Sequence, residues 1–247
     1  QLASNAHRLD AVLGNGGQDR DELPITAGLA IAREPSTNRI WVFVGTGSFM
    51  TSTDAADAKV QSLYGLIDNS TTIAGRSELA ERKIVVSTTL DGRLVRGFES
   101  ASTLPSGRKG WYIDLGNPKA GERVVSDPRV HGSVLLAASL LPPTGNSCDA
   151  GGSGYINALD AFTGASLSAP YFDVNNDGKY DANDSVDANG TQVPVGSVDV
   201  GVGMPTLPTL IEELLVVGGS KGTLGSIGIN PQGSSPRRIS WREILRD

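Results

Sequence analysis

Cysteine is nearly missing from this sequence: Cys148 is the one thiol among 247 residues. It is either an unpaired thiol or half of a disulfide whose partner lies outside this stretch. A nucleophile needs a base, and nothing ties either histidine, His7 or His131, to it. Lysine and arginine form no cluster and the net charge is -6, which excludes the basic face of a nucleic-acid binder. Long apolar runs are also lacking. The longest, Val134–Leu141, falls far short of the ~20 residues of a membrane helix. Between His131-Gly132 and Pro142-Pro143 it reads as a buried strand. The chain begins at Gln1 with no basic-then-apolar leader, and is read as a mature fragment or an excised piece. No Ser/His/Asp set, HExxH or phosphate-cradling glycine loop appears, so no enzyme is expected.

Glycine and proline are plentiful, at 31 and 13 residues, while aromatics make up only 5%. That mixture predicts an all-β fold of short strands joined by turns. Residues 1–24 are polar and glycine-broken and read as a linker. Ile25–Ala32 is a first strand. Ile40–Val44, rich in β-branched and aromatic residues, is followed by Ser62–Asn69. The same phrase returns twice, as Val134–Leu141 with Gly154–Gly164, and as Leu214–Ser220 with Lys221–Asn230. Each copy is a continuous apolar strand, a small-residue turn and a second strand. Recurring strand pairs of this kind mark the blades of a β-propeller.

Two further hairpins are expected between the first two copies. Lys83–Thr89 pairs with Leu94–Phe98 across Asp91-Gly92, a strong turn signal, and Gly110–Leu115 pairs with Glu122–Val125. Outer strands of a blade and an inserted ribbon both remain open for them. Pro205–Leu210 opens the last blade, with Glu212-Glu213 in its turn. Arg238–Leu245 reads as a final strand or a short helix. The copies lie further apart than the ~40–50 residues of a minimal blade, so two loops read as insertions, one holding Cys148 and the other acidic. Residues 25–247 thus give three to four blades, fewer than the ~4–8 needed to close a ring. The remaining blades are expected elsewhere on a longer protein.

The acidic loop, residues 173–184, carries the chemistry. Oxygen-bearing side chains stand at loop positions 1, 3, 5 and 9 (Asp173, Asn175, Asp177, Asp181), glycine at 6 (Gly178), and a carboxylate at 12 (Asp184). Position 7 offers the Lys179 main-chain carbonyl. Calcium takes ~6–8 oxygen ligands, and a loop of this length and spacing supplies them. Five carboxylates between Asp173 and Asp187 face one lysine, and they repel one another without a cation. The plain alternative is a solvated acidic turn. The flanks do not read as helices, and at position 12 Asp184 is one methylene shorter than the usual Glu. A weak calcium site argues for an extracytoplasmic setting, because cytosolic calcium would leave it empty.

Several segments together resemble the C-terminal domain of the type IV pilus tip-associated adhesins, the PilC/PilY family. They are Val42–Gly47 with Gln61–Asn69, Gly110–Leu115, Gly121–Pro128, Cys148–Gly154, the acidic loop and Ser240–Glu243. The resemblance implies the C-terminal part of a modified seven-bladed propeller at the pilus tip or outer surface. It implies a role in pilus extension, retraction and adhesion, with minor pilins and host or surface receptors as partners. It places Asp173, Asn175, Asp177, Asp181 and the Lys179 carbonyl on Ca2+ through a D-x-[DN]-x-D-x-x-x-D pattern, from which Asp184 falls outside. No Arg-Gly-Asp motif is present.

Two rival functions stand beside this one. A quinoprotein (PQQ) dehydrogenase is also a calcium-using propeller, and Leu159–Gly164 is similar to its blade motif. Only three tryptophans occur, however, so repeated tryptophan docking between blades is not supported. The other rival is an extracellular binding propeller in which calcium is purely structural.

Overall fold

The computed structural model describes residues 23–143 and 151–230. Their strands form three sheets. The first contains β1 (Ala30–Arg33), β2 (Ile40–Gly45), β3 (Ser62–Asp68), β4 (Ala80–Arg82) and β7 (Gly110–Asp114), in the order β1-β2-β3-β7-β4. The second contains β5 (Ile84–Leu90), β6 (Arg93–Phe98), β8 (Arg129–His131), β9 (Val134–Leu141), β10 (Ser153–Asp160) and β13 (Thr191–Val198). Its order is β5-β6-β13-β10-β9-β8, with β12 (Ser185–Ala188) also paired to β13. The third contains β11 (Phe172–Asp173), β14 (Thr209–Ile211), β15 (Leu214–Gly218) and β16 (Leu224–Ile229), in the order β11-β16-β15-β14.

Each recurring strand pair is an antiparallel hairpin in its own sheet: β2 with β3, β9 with β10, and β15 with β16. The β5–β6 hairpin turns at Asp91-Gly92 as expected. The expected pairing of Gly110–Leu115 with Glu122–Val125 does not occur. Both edges of β7 are taken, by β3 antiparallel and by β4 parallel, so no edge remains. Residues 122–125 run inward instead: Glu122 and Val124 are fully buried, and Arg123 bridges to Leu140. The first strand is shorter than expected, since Ile25 makes only an isolated bridge to Gly47.

Two apolar cores separate the three sheets. Along β9, Leu135 and Ala137 join the core facing the first sheet, while Val134, Leu136 and Ala138 join the core facing the third. Side chains of a strand alternate between faces, so a strand buried on both faces reads as an unbroken apolar run. That is why Val134–Leu141 carries no polar alternation, its one polar residue, Ser139, being buried and donating to Glu122 Oε1.

The core between the first two sheets is aromatic. Trp41 and Phe43 stack with centroids 6.1 Å apart, and Phe162 meets both edge-on. Trp111 Nε1 donates to the Ala161 carbonyl at 2.8 Å, seating the ring on the turn after β10. Gly164 in that turn has φ +70°, and a Cβ there would lie 2.3 Å from Trp111 Cδ2. Only glycine fits. Beside this core Arg96 and Glu122 form an ion pair at 2.7 Å with both side chains fully buried. Asn157 and the Asn117 carbonyl also accept from Arg96, and the Tyr155 ring lies 3.8 Å from its guanidinium carbon. A charge out of water needs such a surround.

Candidate metal centre

The acidic loop is not an insertion within one blade. β11 pairs with β16 in the third sheet, whereas β12 pairs with β13 in the second. Residues 174–184 therefore carry the chain across from one sheet to the next. Tyr171, Phe172, Val174 and Val186 at its two ends are buried in the core between those sheets.

Asp173 ends β11 opposite Gly228 of β16. A Cβ on Gly228 would lie 3.1 Å from Asp173 Cβ and 3.3 Å from its Oδ2, so a larger residue would crowd the carboxylate. Asp173 is only 6% exposed. Its Oδ1 accepts from the Asp177 N–H at 3.1 Å and its Oδ2 from the Gly178 N–H at 3.0 Å. The chain thus coils back onto Asp173, helped by left-handed backbone at Asn176 and Gly178, φ +57° and +75°.

The other expected ligands lie on the exposed side of this coil. Asn175 Oδ1 accepts from the Asp177 N–H at 3.1 Å and Asp177 Oδ1 from the Lys179 N–H at 2.8 Å. Asp181 Oδ1 accepts from the Asn183 N–H at 2.8 Å. The Lys179 carbonyl accepts no backbone hydrogen bond from the described residues, and its side chain is exposed. Among the described residues no three His, Cys, Asp or Glu side chains converge as a ready metal site. Asp177 and Asp181 each accept a neighbouring N–H through Oδ1, and each carboxylate keeps further lone pairs for an ion. The donor set is otherwise all oxygen from one loop, which suits a hard divalent cation.

Asp184 has a task that sequence reasoning missed. It is 1% exposed, its Oδ1 accepts from the Val174 N–H at 2.7 Å, and its Oδ2 from the Asp181 N–H at 3.2 Å. Asp181 and Asp184 cap the short 3-10 turn Ala182–Asp184 reciprocally. Burial pushes the Asp184 carboxyl up, against the pull of its N–H donors, and the nearby Asp173 charge adds to the rise. The signal was the spacing of two capping residues three apart, Asp181 and Asp184.

His131 is exposed at the end of β8. Cys148, His7 and the segment Arg238–Leu245 lie outside the described residues. No helix among the described residues is long and apolar enough to cross a membrane. The Asp160–Gly164 turn of the quinoprotein-like motif is closed by Asp160 Oδ1, which accepts from Phe162 N–H, Thr163 N–H and Thr163 Oγ1. It does receive a docked tryptophan, Trp111. Trp41 instead donates to Glu34 Oε2 at 3.1 Å.

No protein-family model matches the chain. It is 36% identical over 227 residues to a type IV pilus biogenesis factor PilY1 homolog of Xylella fastidiosa (strain Temecula1 / ATCC 700964). That match covers 90% of this chain and 18% of the relative. The chain's curated homologues are PilY1 type IV pilus biogenesis factors. The PilY1 of Pseudomonas aeruginosa (strain UCBPP-PA14) is 27% identical over an alignment of 249 residues, covering 90% of this chain and 21% of that protein. The chain thus spans about a fifth of the length of these PilY1 relatives. The crystal structure of the Pseudomonas aeruginosa PilY1 C-terminal domain superposes with a TM-score of 0.70 at 24% identity. It covers 90% of this chain and 48% of that one. The almost all-β fold is therefore that of part of the PilY1 C-terminal domain, with its sheets as propeller-like blades.

Proposed function

We propose that this chain is a calcium-binding, non-enzymatic propeller segment of a type IV pilus biogenesis factor, in which the acidic crossover fastens the second sheet to the third. The observation that carries this is the course of residues 173–184, which leave β11 in one sheet and enter β12 in the other. Asp173, Asn175, Asp177, Asp181 and the Lys179 carbonyl would hold the ion. A bound Ca2+ supplies charge that neutralises the loop's carboxylates, and Asp184 keeps the crossover folded by bonding its main chain. Type IV pilus biogenesis is the role for which the relatives are named, and we extend it to this chain. The working site is extracytoplasmic, at the pilus tip or cell surface, with minor pilins and surface receptors as partners.

Regulation of pilus extension, retraction and adhesion follows if the ion favours one arrangement of the two sheets. A ligand shifts such an equilibrium by no more than its difference in affinity for the two states. The crossover's position between two sheets also favours a second reading, that calcium is a structural staple alone.

A calorimetric calcium titration of the 247-residue chain, Asp173→Ala and Asp181→Ala tests the assignment. Saturable binding by the parent and its loss in both variants are expected. Unchanged binding by Asp181→Ala contradicts the ligand set. Chelation that lowers the melting temperature while leaving affinity for minor pilins untouched selects the staple over the regulator.

A further inference from the structure

A second candidate site lies at one end of the first sheet, where three adjacent strands begin or finish together. Arg39 precedes β2, Ile67 to Asn69 close β3, and Gly107 to Lys109 lead into β7. The register keeps these ends side by side: Ile40 pairs with Asp68, Leu66 with Gly110, and the Ile67 N–H donates to the Lys109 carbonyl at 2.9 Å. Together they line a cavity of about 370 Å³. That lies inside the ~300–1,000 Å³ range of small-molecule pockets.

The lining is basic in a chain whose net charge is -6. Arg39, Arg108 and Lys109 face one carboxylate, Asp68. Lys109 is already committed to Glu78 Oε1 at 2.9 Å and to the Thr72 carbonyl at 2.9 Å. Arg39 and Arg108 are different: among the described residues neither forms an ion pair with a carboxylate. Glu34 acts on Arg39 only at longer range. Arg108 is held in place because its N–H closes the Pro105–Arg108 turn at 3.2 Å and its Nη1 donates to the Ser77 carbonyl. Guanidinium donors in a fixed fork match a carboxylate or phosphate.

Asp68 and Asn69 narrow the choice. A carboxylate in the lining repels a dianion such as phosphate, but accepts hydrogen bonds from hydroxyls. The Asn69 Oδ1 accepts from the Thr71 N–H and Oγ1, while among the described residues no bond uses its amide N–H groups, which leaves them to donate. Ile67, 6% exposed, is the one large apolar residue of the lining. We propose that this pocket binds a monoanionic, hydroxyl-rich ligand, an acidic saccharide of the hexuronate kind, with Arg39 and Arg108 on its carboxylate and Asp68 and Asn69 on its hydroxyls.

The test is a nuclear magnetic resonance titration of the 247-residue chain with D-glucuronate, D-glucose and inorganic phosphate in turn. Glucuronate is expected to give saturable shifts confined to the amides of residues 39, 67–69 and 107–109. Arg39→Gln and Arg108→Gln each weaken it by about tenfold, as loss of one charge-assisted pair implies. Glucose binds at least tenfold more weakly, and phosphate does not displace glucuronate. Both variants retain the parent melting temperature, since neither side chain is buried. Phosphate competing on equal terms would reduce the pocket to a general cation patch and overturn the saccharide assignment. Absence of localised glucuronate shifts would overturn the site itself.

Discussion

The two joints of this molecule are built from opposite materials. Between the first and second sheets, rings meet rings, and beside them Arg96 and Glu122 form a fully buried ion pair. Between the second and third sheets the core is mostly valine, leucine and isoleucine with one aromatic pair, Tyr171 and Phe172, and it is bordered by an acidic crossover with much of its surface in water. A buried aromatic joint depends on shape and is indifferent to ions. A joint edged by like charges depends on what neutralises them. On the calcium site proposed above, the first joint is independent of the ion and the second is not.

The largest effect that would break this contrast is expected at Trp111. Trp111→Ala removes a fully buried ring and its bond to Ala161, costing about 3–5 kcal/mol in denaturant unfolding, whether or not calcium is present. A calcium-dependent loss would erase the distinction between the joints. Glu122→Gln follows, at about 3 kcal/mol, because it leaves the Arg96 charge buried without its carboxylate. Asn157 and the Asn117 carbonyl still accept from Arg96, which keeps the loss at the low end.

Calcium itself comes next. At a free concentration one hundred times the dissociation constant, mass action contributes about 2.7 kcal/mol, visible as a rise in melting temperature that chelator reverses. Asp181→Ala should abolish that rise, and should lower the chelated melting temperature only as far as the ~1 kcal/mol of its lost cap on the Ala182–Asp184 turn allows.

The smallest effect concerns pH and the first sheet. Hydrogen bonds from Thr51 Oγ1, the Met50 N–H, Ser48 Oγ and the Thr51 N–H hold the Asp54 carboxyl well below its ordinary range. Its contribution is present above the unfolded aspartate value of about 3.9 and is lost as pH falls toward the lower folded value. Asp54→Asn should therefore flatten the decline of melting temperature below about pH 4. An unaltered acid profile would show that this exposed loop does not couple to folding.

How much of this was legible in the sequence follows from how local each signal is. The hairpins around Asp91-Gly92, Val134–Leu141 and Leu214–Gly218 are short-range, and apolar runs with turn residues disclosed them. The β7 partners were not legible, because a strand with two free edges looks like a hairpin half until its neighbours are known. The loop residues at alternate positions were equally plain, being contiguous. Its place between two sheets was not, since pairing of Asp173 with Gly228 joins residues far apart in the chain. Nor was Trp111's seat on Gly164, which depends on a glycine chosen for the ring that covers it.

Amide hydrogen exchange on the same chain, with calcium and with chelator, tests the central claim most directly. Calcium should slow exchange at Val174, Asp181 and Asn230, whose N–H groups close the crossover and the β11–β16 side of the third sheet. Trp41 to Val44 and Trp111 should exchange at the same rate in both conditions. Identical exchange throughout, or an equal slowing at both joints, would contradict an ion-fastened second joint.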